Sequence, residues 1–79
     1  MNSTRQQIRE IMATVFNIRE DDIPDDATPN TLEQWDSMKH MILIVALEEE
    51  FEVRFPDESV EDLVSIDSIE FKIKQLLDI

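Results

Sequence analysis

Apolar residues recur at the three-to-four-residue spacing of an α-helix in two segments of the chain. Near the N-terminus the stripe comprises Ile8, Ile11, Met12, Val15 and Phe16. Near the C-terminus it comprises Ile66, Ile69, Ile73, Leu76 and Leu77. Residues that commonly cap a helix precede both stripes, Ser3 or Thr4 before the first and Ser65 before the second. Each segment is therefore predicted to form an amphipathic helix.

A third segment, residues 37–51, is apolar over more of its surface than one buried face requires. A run of seven apolar residues, 41–47, is followed by three glutamates and Phe51. Asp36 directly precedes the segment and is a favoured helix N-cap residue, because its carboxylate can accept free backbone N–H groups of the first turn. The pattern predicts a helix from Ser37 to Phe51 with Ser37 exposed at its start.

Projected at about 100° per residue, the apolar side chains of this helix separate into two groups. The core group comprises Leu43, Ile44, Leu47 and Phe51. The second group, on the side that carries Ser37, comprises Met38, Met41, Ile42 and Val45, and is extended by Glu48 and Glu49. In an ordinary bundle both groups are buried more often than not, but three other short helices can scarcely enclose a fourth. We therefore interpret the second group, together with Lys39, as a docking surface.

The remaining segments connect these helices. Residues 18–35 form a long acidic loop, which Pro24 and Pro29 keep out of helix and which Ile23 and Leu32, with Trp35 as a further candidate, can anchor to the core. Residues 57–63 predict a short third helix, with the apolar residues around it, Val60, Leu63 and Val64, facing inward. The predicted fold is all-α: a single domain over residues 1–79, a four-helix bundle with three longer helices, one short third helix and a long first loop.

Charge and cysteine content exclude several classes of function. The formal net charge is −12, which disfavours nucleic-acid binding because that relies on cationic side chains; a basic protein partner fits better. The absence of cysteine rules out a disulfide framework and a cysteine-based metal site or nucleophile. No apolar run approaches the roughly 20 residues of a membrane span, and Arg5 and Arg9 interrupt any signal-peptide core. We expect a cytoplasmic monomer.

Few residues suggest catalysis or metal binding. His40 is the single histidine and lies one turn after Asp36, with which it can pair; we assign it a structural rather than a catalytic role. The acidic loop residues are Asp21, Asp22, Asp25 and Asp26. They lack the glycine and the ligand spacing of an EF-hand, so they predict at most a weak, nonspecific cation site. The sequence predicts no metal site and no enzyme.

The predicted second helix begins with Asp36-Ser37-Met38 and ends with Ala46-Leu47-Glu48-Glu49-Glu50-Phe51. The segment Phe55-Pro56-Asp57-Glu58 follows it. Together these motifs resemble those of the acyl carrier protein family. An Asp-Ser pair by itself is common, but the pair combined with the Ala-Leu-Glu-Glu-Glu-Phe ending at this distance is highly specific. The resemblance extends over nearly the whole chain, including its length, acidity, long first loop and four helices.

The resemblance implies a four-helix bundle whose Ser37, flanked by Asp36, carries 4′-phosphopantetheine derived from coenzyme A. The arm would hold acyl or aminoacyl groups as thioesters and present them to enzymes of lipid, fatty acid or polyketide biosynthesis. Implied partners are a phosphopantetheinyl transferase and acyl ligases, synthases or transferases with basic docking surfaces. An acyl chain, if one is carried, could enter between helices lined by Ile44, Leu47, Leu63 and Ile66.

The sequence departs from the fatty-acid-synthesis members of that family at three positions after the serine. Those members usually carry leucine directly after it and acidic residues two and five places after it, whereas this chain has Met38, Lys39 and Ile42. Replacing acids with a base and an aliphatic side chain changes partner choice. With Trp35 before the Asp-Ser pair, these changes favour a specialised stand-alone carrier.

Two other hypotheses compete with the carrier. The first is an acidic helical interaction module, an inhibitor or adaptor, that presents the second helix to a basic partner. The second is a cation-dependent sensor built on the acidic loop. A carrier requires Ser37, whereas an interaction module requires Met41 and Ile42 but not the serine.

Overall fold

The predicted helices are present in the computed structural model, which describes residues 3–78. They are α1 (Thr4–Phe16), α2 (Ser37–Phe51), α3 (Asp57–Val60) and α4 (Ile66–Leu77), with one additional 3-10 turn at Glu20–Asp22 in the first loop. Residues 3–78 contain no strand. The prediction of an all-α fold with three longer helices, a short third helix and a long first loop is confirmed.

Side chains cap the start of each of the three longer helices. The Ser3 hydroxyl accepts the Gln6 backbone N–H at 3.1 Å, and the Asp36 carboxylate accepts the Lys39 N–H at 2.8 Å. Ser65 and Ser68 form a reciprocal capping box, in which each hydroxyl accepts the other residue's backbone N–H. These bonds satisfy N–H groups that have no partner within the helix.

The three longer helices end without glycine, a residue that the chain lacks entirely. Asn17, Glu52 and Asp78 take the left-handed conformation instead, with φ values of 57°, 54° and 60°. Asparagine and aspartate enter this region more readily than other residues with a Cβ. Glu52 is the least suited of the three, so the end of α2 is the strained terminus.

Helix α1 lies against both α2 and α4, and the core forms where the three meet. The largest fully buried side chains are Ile8, Met12, Ile23, Trp35, Leu43, Leu47, Ile66, Ile69 and Ile73. The predicted stripes supply all of them except Ile23 and Trp35, which come from the first loop. The loop therefore contributes to the core.

Arg9 of α1 organises the first half of this loop. Its guanidinium donates to the backbone carbonyls of Glu20 and Ile23, at 3.0 and 2.7 Å, and to the Asp25 carboxylate at 2.9 Å. A single planar cation with several donors can bind carbonyls that face in different directions. The acidic loop is thereby tied to α1 through its backbone as well as through its apolar side chains.

The structure corrects the predicted core at several positions. Val64, which is predicted to face inward, is exposed. Leu76 and Leu77, which belong to the predicted apolar stripe, are also exposed in the last turn of α4. The third helix is a single turn, shorter than the predicted range of residues 57–63. Ala27 and Phe55 are buried although no periodic pattern marks them, since both lie in irregular segments.

Charged side chains connect the N-terminal turn of α1 to the N-terminal half of α4. The Arg5 guanidinium donates to Asp67 at 2.7 Å and to Glu70 at 2.9 Å, and Lys74 lies 3.2 Å from Glu70. Burial raises the pKa of Glu70, but the hydrogen bonds from Lys74 and Arg5 outweigh it and leave the pKa below its usual value of 4.5.

This lowered pKa predicts a pH-dependent contribution to stability. A carboxyl group whose pKa is lower in the folded state stabilises the fold above its unfolded pKa and loses that effect as the pH falls through the folded pKa. We therefore expect wild type to be more stable than Glu70→Gln near neutral pH, with the difference vanishing in acid. Urea denaturation of both proteins across the pH range measures this. Glu58→Gln, which removes one negative charge at an exposed position, is the control.

Candidate functional site

Ser37 occupies the first position of α2 and is exposed. The preceding Asp36 has an extended backbone and uses its side chain to cap the helix, so the cap does not need the serine hydroxyl. Among residues 3–78, no hydrogen bond engages that hydroxyl. Backbone N–H groups of the first turn point toward this end of the helix, where the dipole favours an anion. The site combines an accessible nucleophilic oxygen with a favourable position for a phosphate.

The wall beside Ser37 is held by a chain of hydrogen bonds through His40. The Trp35 indole N–H donates to His40 Nδ1 at 3.0 Å, and His40 Nε2 lies 2.8 Å from the Val60 carbonyl oxygen. An indole can only donate and a carbonyl can only accept, so the imidazole is neutral with its proton on Nε2. The ring joins the first loop, α2 and the end of α3.

In this network His40 does not use the pairing with Asp36 that helical spacing makes available. The Asp36 carboxylate caps α2, while both nitrogens of the imidazole are engaged elsewhere. The ring centroids of Trp35 and His40 lie 6.1 Å apart with an interplanar angle of 30°, and the Phe16 ring centroid lies 5.6 Å from that of Trp35. The structural role assigned to His40 matches this arrangement.

Lys39, one of the predicted docking residues, also has an internal contact. Its Nζ donates to the Val15 carbonyl at 3.3 Å, and Val15 belongs to the last turn of α1, where carbonyls lack helical partners and a cation is favoured. The lysine thus stabilises the end of α1 from α2. The fatty-acid-synthesis members of the resembled family usually have an acidic residue at the position of Lys39. The contact with Val15 gives the lysine a structural role within this chain.

The second apolar side of α2 is exposed as the helical projection predicted. The exposed fractions are 73% for Met38, 54% for Met41, 47% for Ile42 and 50% for Val45. On the opposite side Leu43, Ile44 and Leu47 are buried, so the interpretation in which the whole helix is enclosed is wrong. We call the four exposed residues the α2 apolar face.

The two glutamates at the end of this face differ in their surroundings. Glu48 is half-buried and its Oε2 accepts the Phe55 backbone N–H at 2.8 Å, which fixes the connection from α2 to α3. Glu49 is exposed. The predicted docking surface therefore includes Glu48, whose carboxylate is hydrogen-bonded within the fold, and Glu49, which is exposed to solvent.

A shallow groove of about 390 Å³ lies directly beside Ser37. It is lined by Pro29, Trp35, Asp36, Ser37, His40, Glu61 and Val64. The first loop thus forms one wall and the segment after α3 the other. Sequence reasoning missed Pro29, Glu61 and Val64, because none of them lies on α2 or in the attachment motif.

The four residues predicted to line an acyl pocket lie elsewhere. Ile44, Leu47, Leu63 and Ile66 are buried in the core, with exposed fractions of 3%, 0%, 3% and 0%. They pack with the other core side chains, and they do not line the groove beside Ser37. An acyl chain could reach them only by separating the packed helices.

The acidic loop brings no metal-binding cluster together within residues 3–78. Asp25 pairs with Arg9, and Asp21 lies 3.7 Å from Arg19. Over the same residues no helix is long and apolar enough to cross a membrane.

Comparison with known proteins agrees with this geometry. A family model described as "Phosphopantetheine attachment site" matches residues 6–70. The solution structure of a holo acyl carrier protein from Geobacter metallireducens superposes with a TM-score of 0.83 at 24% sequence identity, over 95% of this chain and 86% of that chain. The structural match shows that the two proteins share a fold.

The family model, which covers most of this four-helix bundle, identifies a carrier for a covalently attached prosthetic arm. The chain belongs to the acyl carrier protein family, the phosphopantetheine-bearing carriers. The site fits the group: the serine hydroxyl is accessible, the helix N-terminus favours the phosphate, and the groove beside it is open.

Proposed function

We propose that Ser37 carries the 4′-phosphopantetheine arm and that the chain presents acyl or aminoacyl intermediates to the enzymes of one dedicated pathway. The observation that carries the proposal is the exposed Ser37 hydroxyl at the start of α2, which Asp36 leaves free by capping the helix itself. The bound arm supplies a terminal thiol, which this cysteine-free chain lacks and on which cargo is held as a thioester.

The chain's own residues position the arm without taking part in chemistry. Asp36 fixes the first turn, so that the Ser37 oxygen projects from a rigid helix. The phosphate gains about 0.3–1 kcal/mol from the helix dipole when it is exposed. Trp35 and His40 hold the wall of the adjacent groove in place. The carrier itself catalyses no step; catalysis belongs to the enzymes that it meets.

We further propose that the α2 apolar face docks the phosphopantetheinyl transferase and the acyl ligase, synthase or transferase of the pathway. Met38, Met41, Ile42 and Val45 are exposed beside the attachment site, and methionine adapts its shape to several partners. Glu49 adds an acid that suits basic docking surfaces. Lys39 donates to the Val15 carbonyl at the end of α1, so it also stabilises the fold that presents this face.

The test is enzymatic loading followed by localisation of the added mass. The purified apo protein is incubated with coenzyme A and broad-specificity phosphopantetheinyl transferases, and intact mass is recorded. We expect one phosphopantetheinyl addition, which fragmentation assigns to Ser37. Addition at Ser59, Ser65 or Ser68, or no addition with several transferases, would exclude Ser37 as the attachment residue.

A further inference from the structure

His40 joins the first loop to the end of α3, and only the neutral form of its ring can make both bonds. Nδ1 accepts the Trp35 indole N–H at 3.0 Å, and Nε2 donates to the Val60 carbonyl oxygen at 2.8 Å. A protonated imidazole carries a hydrogen on each nitrogen and cannot accept. Proton uptake at Nδ1 would therefore oppose two N–H donors and break the bond to Trp35, whereas the bond to Val60 would persist.

The bond to Trp35 fixes one wall of the groove beside Ser37. We call the part of the groove formed by Pro29 and Trp35 the first-loop wall. Trp35 is 1% exposed, and within residues 3–78 its indole N–H has no acceptor other than His40. Because buried polar groups are almost always hydrogen-bonded, an indole that loses this acceptor must reach water to replace it. Loss of the bond therefore favours movement of the first-loop wall.

The charged groups that face the ring act against the bond to Trp35. The groove is lined by two carboxylates, Asp36 at the start of α2 and Glu61 after α3, and by no basic side chain; the first-loop wall is uncharged. Among the described residues neither carboxylate forms an ion pair. Lys39, the neighbour of the histidine on α2, donates instead to the Val15 carbonyl of α1. Nearby negative charge favours the imidazolium, whereas the indole donor favours the neutral ring.

We infer that His40 is a proton-sensitive latch: its neutral ring fixes the first-loop wall, and proton uptake releases that wall while the bond to Val60 stays. Imidazole ordinarily changes charge between about pH 5 and pH 8, so the latch acts without general acid unfolding. A phosphate on Ser37 adds an anion to the same groove, one turn before the histidine, and favours release. This effect of the arm rests on the proposed function, but the latch itself does not.

The test uses the single tryptophan and the single histidine of the chain, each of which gives one set of side-chain NMR signals. Isotope-labelled apo protein is titrated from about pH 8 to about pH 5, the range in which imidazole changes charge. We expect the indole N–H to exchange faster with solvent as the imidazole takes up its proton, and the first-loop amide signals to move with the same midpoint. An indole whose exchange stays constant while His40 titrates would overturn the inference.

Two variants separate the latch from general effects of acid. Coupling between two groups is reciprocal, so without the indole donor, in Trp35→Phe, His40 should take up its proton at higher pH than in wild type. In His40→Gln the amide can accept from Trp35 and donate to Val60 but does not titrate, so the indole N–H should stay protected throughout. An unchanged imidazole midpoint in the first variant, or a wild-type indole response in the second, would contradict the latch.

The effect of the arm is measured on holo protein whose single phosphopantetheinyl addition is verified by intact mass. The indole response should occur at higher pH than in apo protein, because the phosphate favours the imidazolium. Glu61→Gln should move the response to lower pH, whereas Glu50→Gln, a change at an exposed position in the last turn of α2, should leave it nearly unchanged. Equal midpoints in apo and holo protein would overturn the effect of the arm. Failure to load would instead exclude attachment at Ser37 and leave the apo titration valid.

Discussion

Ser37→Ala is expected to abolish loading of the phosphopantetheine arm completely while leaving the fold intact. The hydroxyl oxygen is the atom to which the phosphate would be joined, and alanine offers no substitute. The structural cost is small because the side chain is exposed and Asp36 performs the capping; a surface change of this kind usually alters stability by less than about 0.5 kcal/mol. Intact mass after incubation with coenzyme A and a transferase measures the loading.

The matched control is Ser68→Ala, which removes a serine that the structure uses internally. The Ser68 hydroxyl accepts the Ser65 N–H in the capping box of α4, so this variant should lose about 1 kcal/mol of stability and still be loaded. Ser37→Ala should therefore abolish loading with little effect on stability, whereas Ser68→Ala should lower stability and leave loading intact. A Ser37→Ala protein that still gains the mass would place the arm elsewhere and remove the central assumption of the proposed function.

The sequence predicts those parts of the fold in which local chemistry and periodicity agree. The bounds of α2 follow from Asp36 at one end and the end of the apolar pattern at Phe51, and the structure has the same range. The division of that helix into buried and exposed sides also follows, because about 100° per residue fixes which side chains share a side. A bundle this small leaves one side of α2 uncovered.

Contacts between segments distant in the chain could not be predicted in this way. Nothing local indicates that Lys39 reaches the end of α1, or that His40 joins Trp35 to Val60. Helical spacing makes a pairing of His40 with Asp36 possible, but spacing shows only which neighbours are available. The same limit applies to Val64. It is predicted to face inward, but it lines the groove beside Ser37.

Trp35→Ala is expected to unfold the domain. Trp35 is 1% exposed, packs against Phe16 and donates to His40. Truncating a buried tryptophan usually costs about 3–5 kcal/mol, and a cysteine-free core of this size supplies about 3–5 kcal/mol of net stability. The expected loss is as large as the net free energy of unfolding of the domain. Far-UV circular dichroism should show loss of most helical signal without denaturant.

Trp35→Phe separates packing from hydrogen bonding at the same position. Phenylalanine can keep an aromatic contact with Phe16 but has no N–H, so His40 Nδ1 loses its donor, at a cost of about 1–3 kcal/mol. This protein should fold with a lower urea midpoint than wild type. A folded Trp35→Ala protein with an unchanged midpoint would show that Ile23, Ala27 and Leu32 anchor the first loop without the indole. The wall beside Ser37 would then depend on the loop backbone rather than on the Trp35–His40 pair.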